Sequence, residues 1–216
     1  MIWLIPLAAA DDTLPEGWRS APPAVQTFAA QTTFAQYSSC SQSWSHYTAK
    51  TAMVLTLKEG GTARGCREKR SDSIDPDSTW RTEDYLGMTG TWSRDGDWIN
   101  LSLNPASGVC EGENLLSRPN MAGWSLRCTQ AIPPAEAGIP GRPLVCRFTT
   151  PVYTESLGFE VVGLLPYPGE WIVLGDGTGL SIHQDDTGLF GPMTTTITAL
   201  QAPPVIGTIT GRVPAP

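Results

Sequence analysis

The chain has 216 residues, a net charge of −7 and only 16% charged residues. This acidic balance disfavours a nucleic-acid partner, because the phosphate backbone repels a protein of its own sign. A hydrophobic content of 40% and eight Trp exclude a disordered chain. No segment reaches the roughly 20 apolar residues of a membrane span. We therefore expect a folded protein with no nucleic-acid partner and no membrane span.

Residues 1–10 read as a partial signal segment. They are apolar and end in three alanines before Asp11 and Asp12. This pattern is typical of the apolar region and cleavage site of a secretory signal, although the positive region before it is missing. A buried N-terminal strand is the alternative. The signal interpretation predicts a secreted or periplasmic protein.

Residues 11–45 are interpreted as an N-terminal arm, which is polar and Pro-rich at its start. Helical spacing predicts one short helix within it, with a single apolar face. That face comprises Val25, Phe28, Ala29, Thr32 and Ala35. Residues 46–216 are expected to form a β-barrel domain with a C-terminal extension.

Three segments have the pattern of a β-hairpin. Gly90 to Leu103 contains two alternating runs around Asp95-Gly96, and an Asp-Gly step there is the strongest short-range hairpin signal. A second hairpin is predicted through Gly60-Gly61, and a third joins 171–174 to 180–183 through Gly175-Asp176-Gly177. Three hairpins in one chain indicate an antiparallel β protein.

Eight strands are predicted from alternation, and no convincing helix interrupts them, which excludes parallel βαβ units. They lie near 47–58, 61–69, 87–94, 97–104, 122–131, 143–149, 170–175 and 178–184. Further candidate strands are 159–165, 194–200 and 205–213. Each strand has one apolar face, as expected when a meander of about eight strands closes into a barrel around one core. A sandwich is the alternative.

The five cysteines are dispersed, with no CxxC pair, and indicate disulfides in an oxidising compartment. Cys128 and Cys146 face the same way on consecutive predicted strands, so they are the first choice for a bridge. Cys40–Cys66 is the second choice. Because five is odd, at least one thiol is left over or pairs with another chain.

No constellation of residues predicts catalysis, a metal site or a cofactor. Ser181, His183 and Asp185 alternate along one strand about 7 Å apart, which is too far for a proton relay. The acidic loop around Asp75 lacks the spacing of a calcium loop, and a solvated loop is the simpler interpretation. We therefore expect a protein without enzymatic activity.

An apolar ligand inside the barrel would contact the apolar faces of the central strands. The predicted binding residues are Trp92, Leu101, Trp124, Leu126 and Phe148. The same five side chains could instead simply fill the core. The size of the interior space distinguishes these alternatives.

Gly90-Thr91-Trp92 is a G-x-W motif, and the hairpin around it resembles those of bacterial lipocalin-like (calycin-type) barrels. Thr82 to Tyr85 is similar to a second motif of that family, but here it precedes G-x-W instead of following it. The resemblance implies a barrel in which G-x-W closes one end and an apolar ligand enters at the other. Two functions are therefore expected: binding of a small apolar ligand, or docking of a protein partner on a filled barrel of the envelope or extracellular space.

Overall fold

The computed structural model describes residues 14, 16–40, 43–73, 81–110, 123–149, 171–185, 194–204 and 206. Within these residues, eleven strands form one sheet, and the helical content is two single 3-10 turns at Glu59–Gly61 and Ala135–Ala137. The strands are β1 (Arg19–Ala21), β2 (Thr27–Cys40), β3 (Ser43–Lys58), β4 (Thr62–Ser73), β5 (Arg81–Asp95), β6 (Trp98–Pro105), β7 (Trp124–Ile132), β8 (Leu144–Phe148), β9 (Trp171–Asp176), β10 (Leu180–Asp185) and β11 (Thr194–Ala199). The predicted all-β fold is confirmed.

Eight strands close into an antiparallel barrel. Strands β2 to β9 pair in chain order, and β9 then pairs with β2 through Phe28 opposite Asp176 and Ala29 opposite Gly175. The hairpins predicted at Gly60-Gly61 and at Asp95-Gly96 join β3 to β4 and β5 to β6. Gly96 has a φ of 61°, which a residue with a side chain adopts at a cost. The barrel is confirmed, and the sandwich is excluded.

The first barrel strand was not predicted as a strand. The helix expected around Phe28 is wrong, because Thr27–Cys40 forms β2, which pairs with β3 along its whole length. In a strand, Phe28, Ala30 and Thr32 share one face and are buried. The barrel therefore begins at Thr27, within the segment interpreted as an arm, and not at residue 46.

The third predicted hairpin is wrong in its pairing. Strand β10 follows β9 through a turn, but it runs parallel to β2 and does not pair with β9. The chain crosses closely there: a Cβ added at Gly175 would lie 2.5 Å from the backbone carbon of Gly179. Strand β9 stops pairing with β2 at Ala29, so β10 pairs with the edge of β2 from Ala30 onwards.

Strand β11 pairs with β10 and confirms the candidate strand at 194–200. It belongs to the two-stranded extension of the sheet beyond the closed barrel. The candidate strand at 159–165 lies outside the described residues, as does 205–213 apart from residue 206. Residues 1–10, the predicted signal segment, also lie outside them.

An N-terminal arm crosses one end of the barrel. Strand β1 pairs with the end of β7, and the backbone N–H of Leu57, at the end of β3, donates to the Gln26 carbonyl. The Arg94 guanidinium, at the end of β5, donates to the Pro23 carbonyl at 3.1 Å. Since β3, β5 and β7 run in the same direction, these contacts all lie at one end. The arm therefore lies across this end of the barrel.

Candidate functional site

Four of the five predicted ligand-binding residues form a single row across four adjacent strands. Trp92 lies opposite Leu101, Leu101 opposite Leu126, and Leu126 opposite Phe148. Trp124 lies in the neighbouring row, opposite Leu103, and its ring meets that of Phe148 edge-to-face with centroids 5.6 Å apart. The structure thus brings the five side chains together on one interior wall.

The same wall is closely packed. Leu101 and Leu126 are each 2% exposed and Trp124 is 4% exposed, while Trp92 and Phe148 are partly buried against the same cluster. A cavity large enough for a ligand would leave its lining side chains accessible to a water-sized sphere. On the opposite wall, Met53 and Phe28 are 0% exposed. The described interior is therefore filled by its own side chains, in the manner of a small barrel.

The G-x-W motif has a structural role at the end covered by the arm. The Trp92 indole N–H points at two backbone carbonyls of the β3–β4 turn, Lys58 at 3.1 Å and Thr62 at 3.0 Å. Gly90 is required for close approach, because a Cβ added there would overlap the carbonyl oxygen of Ser102 on β6. Trp92 thus ties the turn to β5, and Gly90 lets β5 lie tightly against β6.

Two disulfides occur among the described residues. Cys128 and Cys146 are bonded at directly opposite positions of β7 and β8, inside the barrel, so the first predicted bridge is confirmed. The second prediction, Cys40–Cys66, is wrong because Cys66 is bonded to Cys110. Strand β5 lies between β4 and the loop after β6, so this second bridge spans an intervening strand. Cys40 is the cysteine that takes no part in either bridge.

Alternation alone did not reveal the buried polar residues of the interior. Arg67 is 1% exposed on β4, between Met53 and Leu86 on the neighbouring strands, and Thr51 is 1% exposed on β3. The Gln130 amide accepts from the Ala24 N–H at 3.2 Å and donates to the Arg142 carbonyl at 3.0 Å. It thereby joins the arm to the β7–β8 connection. A cation within a strand at an inward position was the available sequence signal for Arg67.

Two grooves on the outer wall are formed by residues that the structure describes. The first, of about 380 Å³, lies over β5 to β8, where Trp92, Leu101 and Leu126 border it beside six small polar residues. They are Thr91, Ser93, Asn100, Ser102, Ser125 and Thr149. Beside it, the Arg127 guanidinium lies 5.6 Å from the Trp98 ring centroid and contacts Asn100 Oδ1 and Asp95 Oδ2, each at 3.0 Å. The polar groups of Arg127, Asn100 and Asp95 are therefore bonded to one another.

The second groove, of about 540 Å³, lies between the outer face of β3–β4 and residues 106–110, which follow β6. Its floor includes Val54, and Val109 and the Cys66–Cys110 bridge form its wall. Lys58 and Arg64 also line it, and both are exposed. Sequence reasoning missed this groove. Lys58 and Arg64, on either side of one predicted turn, were its signal, but the loop that forms the wall comes from a distant part of the chain.

Among the described residues, no group of three or more His, Cys, Asp or Glu is placed to hold a metal ion. The helical turns in the same residues include none that is long and apolar enough to cross a membrane. No family model, curated protein or solved structure matches the chain. The lipocalin-like resemblance stays a prediction.

Proposed function

We propose that this protein is a secreted or periplasmic interaction protein, in which a filled barrel serves as a rigid support for a partner-binding outer surface. The packing of the interior side chains that the structure describes carries the proposal. A pocket for a drug-sized ligand has roughly 300–1,000 Å³ of space. The side chains that would line such a pocket, Leu101, Leu126 and Trp124, are at most 4% exposed.

The disulfides support the proposed compartment. Cys66–Cys110 and Cys128–Cys146 would persist where the environment is oxidising, as outside the cell or in the periplasm. The two bridges also restrain the two sides of the barrel. A rigid surface loses little conformational entropy when a partner binds, and this favours a docking role.

The test is a ligand titration with a built-in positive control. Wild-type protein is mixed with a panel of fatty acids, phospholipids and small aromatics, and Trp fluorescence and Tm are followed. We expect no change, because a ligand that binds the folded state would raise Tm by mass action. Leu101→Ala opens a cavity in the same wall and is expected to bind benzene, as dry engineered cavities do.

The opposite result would overturn the proposal. If the wild type binds a panel member with a saturable change and a rise in Tm, the barrel holds a ligand. The lipocalin-like function predicted from G-x-W would then replace the interaction role. Contacts of the ligand with Trp124 and Phe148 in the complex would place the ligand on the predicted wall.

A further inference from the structure

We infer that the groove between the outer face of β3–β4 and the 106–110 loop binds an extended acidic segment of a protein partner. This inference rests on the proposed function and deepens it by naming the docking site and the chemistry of the partner. The groove, of about 540 Å³, has the size of a preformed binding site. Its half-buried floor and wall, Val54 and Val109, are apolar, and its exposed side chains are cationic.

Charge distinguishes this groove from the rest of the molecule. The chain carries a net charge of −7, yet the two charged residues that line the groove, Lys58 and Arg64, are both cations. None of the described residues that line the groove is acidic. Within the described part of the chain, neither the Lys58 ammonium nor the Arg64 guanidinium has an ion-pair partner. An anionic partner would supply the missing countercharges.

The spacing of the two cations selects an extended peptide. Lys58 lies opposite Thr62, and Arg64 lies opposite Thr56, so the cations are diagonal neighbours across the β3–β4 ladder. Such neighbours are about 7–8 Å apart. Alternate side chains of an extended chain project from one face with a repeat of about 7 Å. Two carboxylates at positions i and i+2 of a partner strand therefore match Lys58 and Arg64.

The loop that forms the groove wall is fixed to the barrel by a covalent bond and a hydrogen bond. The Cys66–Cys110 bridge ties the loop to β4, and the Ala106 N–H donates to the Gly87 carbonyl at 2.8 Å. Gly87 lies opposite Cys66 and has no side chain on the outer face beneath the loop. A preformed groove loses less conformational entropy on binding than a mobile one. A flat membrane surface fits a concave site poorly, and the net charge of the chain disfavours nucleic acid.

The test uses a fluorescein-labelled octapeptide of alternating glutamate and valine and measures anisotropy with the full chain. Its controls are the isomer with glutamates and valines in blocks of two, which lacks the i, i+2 pairing, and the analogue with glutamine for glutamate. We expect the alternating peptide to bind several-fold more tightly than the block isomer and the glutamine analogue not to bind. Added salt should weaken binding, because dissolved ions screen the attraction between the peptide carboxylates and the two exposed cations.

Matched variants locate the site. Lys58→Glu/Arg64→Glu should weaken binding of the alternating peptide at least tenfold, because attraction becomes repulsion at both positions. Arg19→Glu/Arg142→Glu makes the same charge change at two exposed residues outside the groove and should leave affinity within about twofold. Circular dichroism confirms that both variants are folded.

Three outcomes overturn the inference: no saturable binding of the alternating peptide or of heparin, equal weakening of peptide binding by both double variants, or saturable binding of heparin but of none of the three peptides. The last would assign the groove to a polyanionic glycan. Failure here is separable from failure of the proposed function, which only a ligand in the interior overturns.

Discussion

Replacement of Trp124 by alanine tests the packed interior directly. The side chain is 4% exposed, lies opposite Leu103 and meets the Phe148 ring edge-to-face at 5.6 Å. Truncation of a buried Trp to Ala costs about 3–5 kcal/mol, because apolar contacts are lost and a cavity remains. The aromatic pair accounts for about 0.5–1.5 kcal/mol of that cost. Since a domain is stable by about 5–15 kcal/mol, the loss should be a large fraction of the total.

Urea unfolding followed by far-UV circular dichroism measures the effect. We expect the midpoint to fall while the m value stays constant, since the surface exposed on unfolding barely changes. Val25→Ala is the control: Val25 is 46% exposed, and its truncation should change the free energy of unfolding by less than about 0.5 kcal/mol. A loss below about 1 kcal/mol for Trp124→Ala would refute the reasoning, because it would mean that the side chain borders open space.

Three further changes test particular contacts. Loss of the disulfide Cys128–Cys146, whose cysteines are 18 positions apart, should lower the free energy of unfolding by about 3 kcal/mol in urea melts. Loss of Cys66–Cys110, whose cysteines are 44 positions apart, should lower it by about 4 kcal/mol, because the longer loop has more entropy to lose. A larger loss for the shorter loop would contradict this argument. Gly90→Ala should cost about 1–3 kcal/mol by the same assay, because β5 must move away from Ser102, and a neutral result would remove the close-approach role. Trp92→Phe should lower stability by about 1 kcal/mol through the lost indole hydrogen bonds, and hydrogen exchange should increase at the β3–β4 turn if those bonds hold it.

Period-two alternation predicted the strands whose inner and outer faces differ strongly. Strand β6 is the clearest example, since Ile99, Leu101 and Leu103 are buried while Asn100 and Ser102 are exposed. Alternation did not predict strand β2, because Ala29 is buried on the face opposite Phe28 and Ala30. Its pattern is therefore apolar on both faces, and the remaining positions fit a helical spacing equally well.

Pairing between distant segments was beyond the reach of local patterns. The turn at Gly177 looks like a hairpin in sequence, yet β10 pairs with β2, which is more than a hundred residues earlier. The Cys66–Cys110 bridge likewise depends on a loop that passes over β5. Both features depend on how the barrel closes, and a short segment of sequence carries no information about that closure.

Alternation placed Trp92, Leu101, Leu126 and Phe148 on inward faces, and they lie in one row of the interior wall; that they bind a ligand stays a prediction. It could not decide whether that wall borders a cavity, because the free volume depends on how all eight strands pack. The cationic groove was hidden for a related reason. Lys58 and Arg64 are local to one hairpin, but Val109 and Cys110 come from the loop after β6.

Native mass spectrometry of the protein purified from its own source tests the central claim, that the filled barrel works through its surface, most directly. The account predicts that the protein carries no small-molecule adduct, whether it is alone or bound to a protein partner. Such a partner should be released at high salt, because the groove binds it through charge. It also predicts that reduction adds the mass of four hydrogens for the two bridges Cys66–Cys110 and Cys128–Cys146. A stoichiometric apolar small molecule that co-purifies and survives desalting would contradict the account.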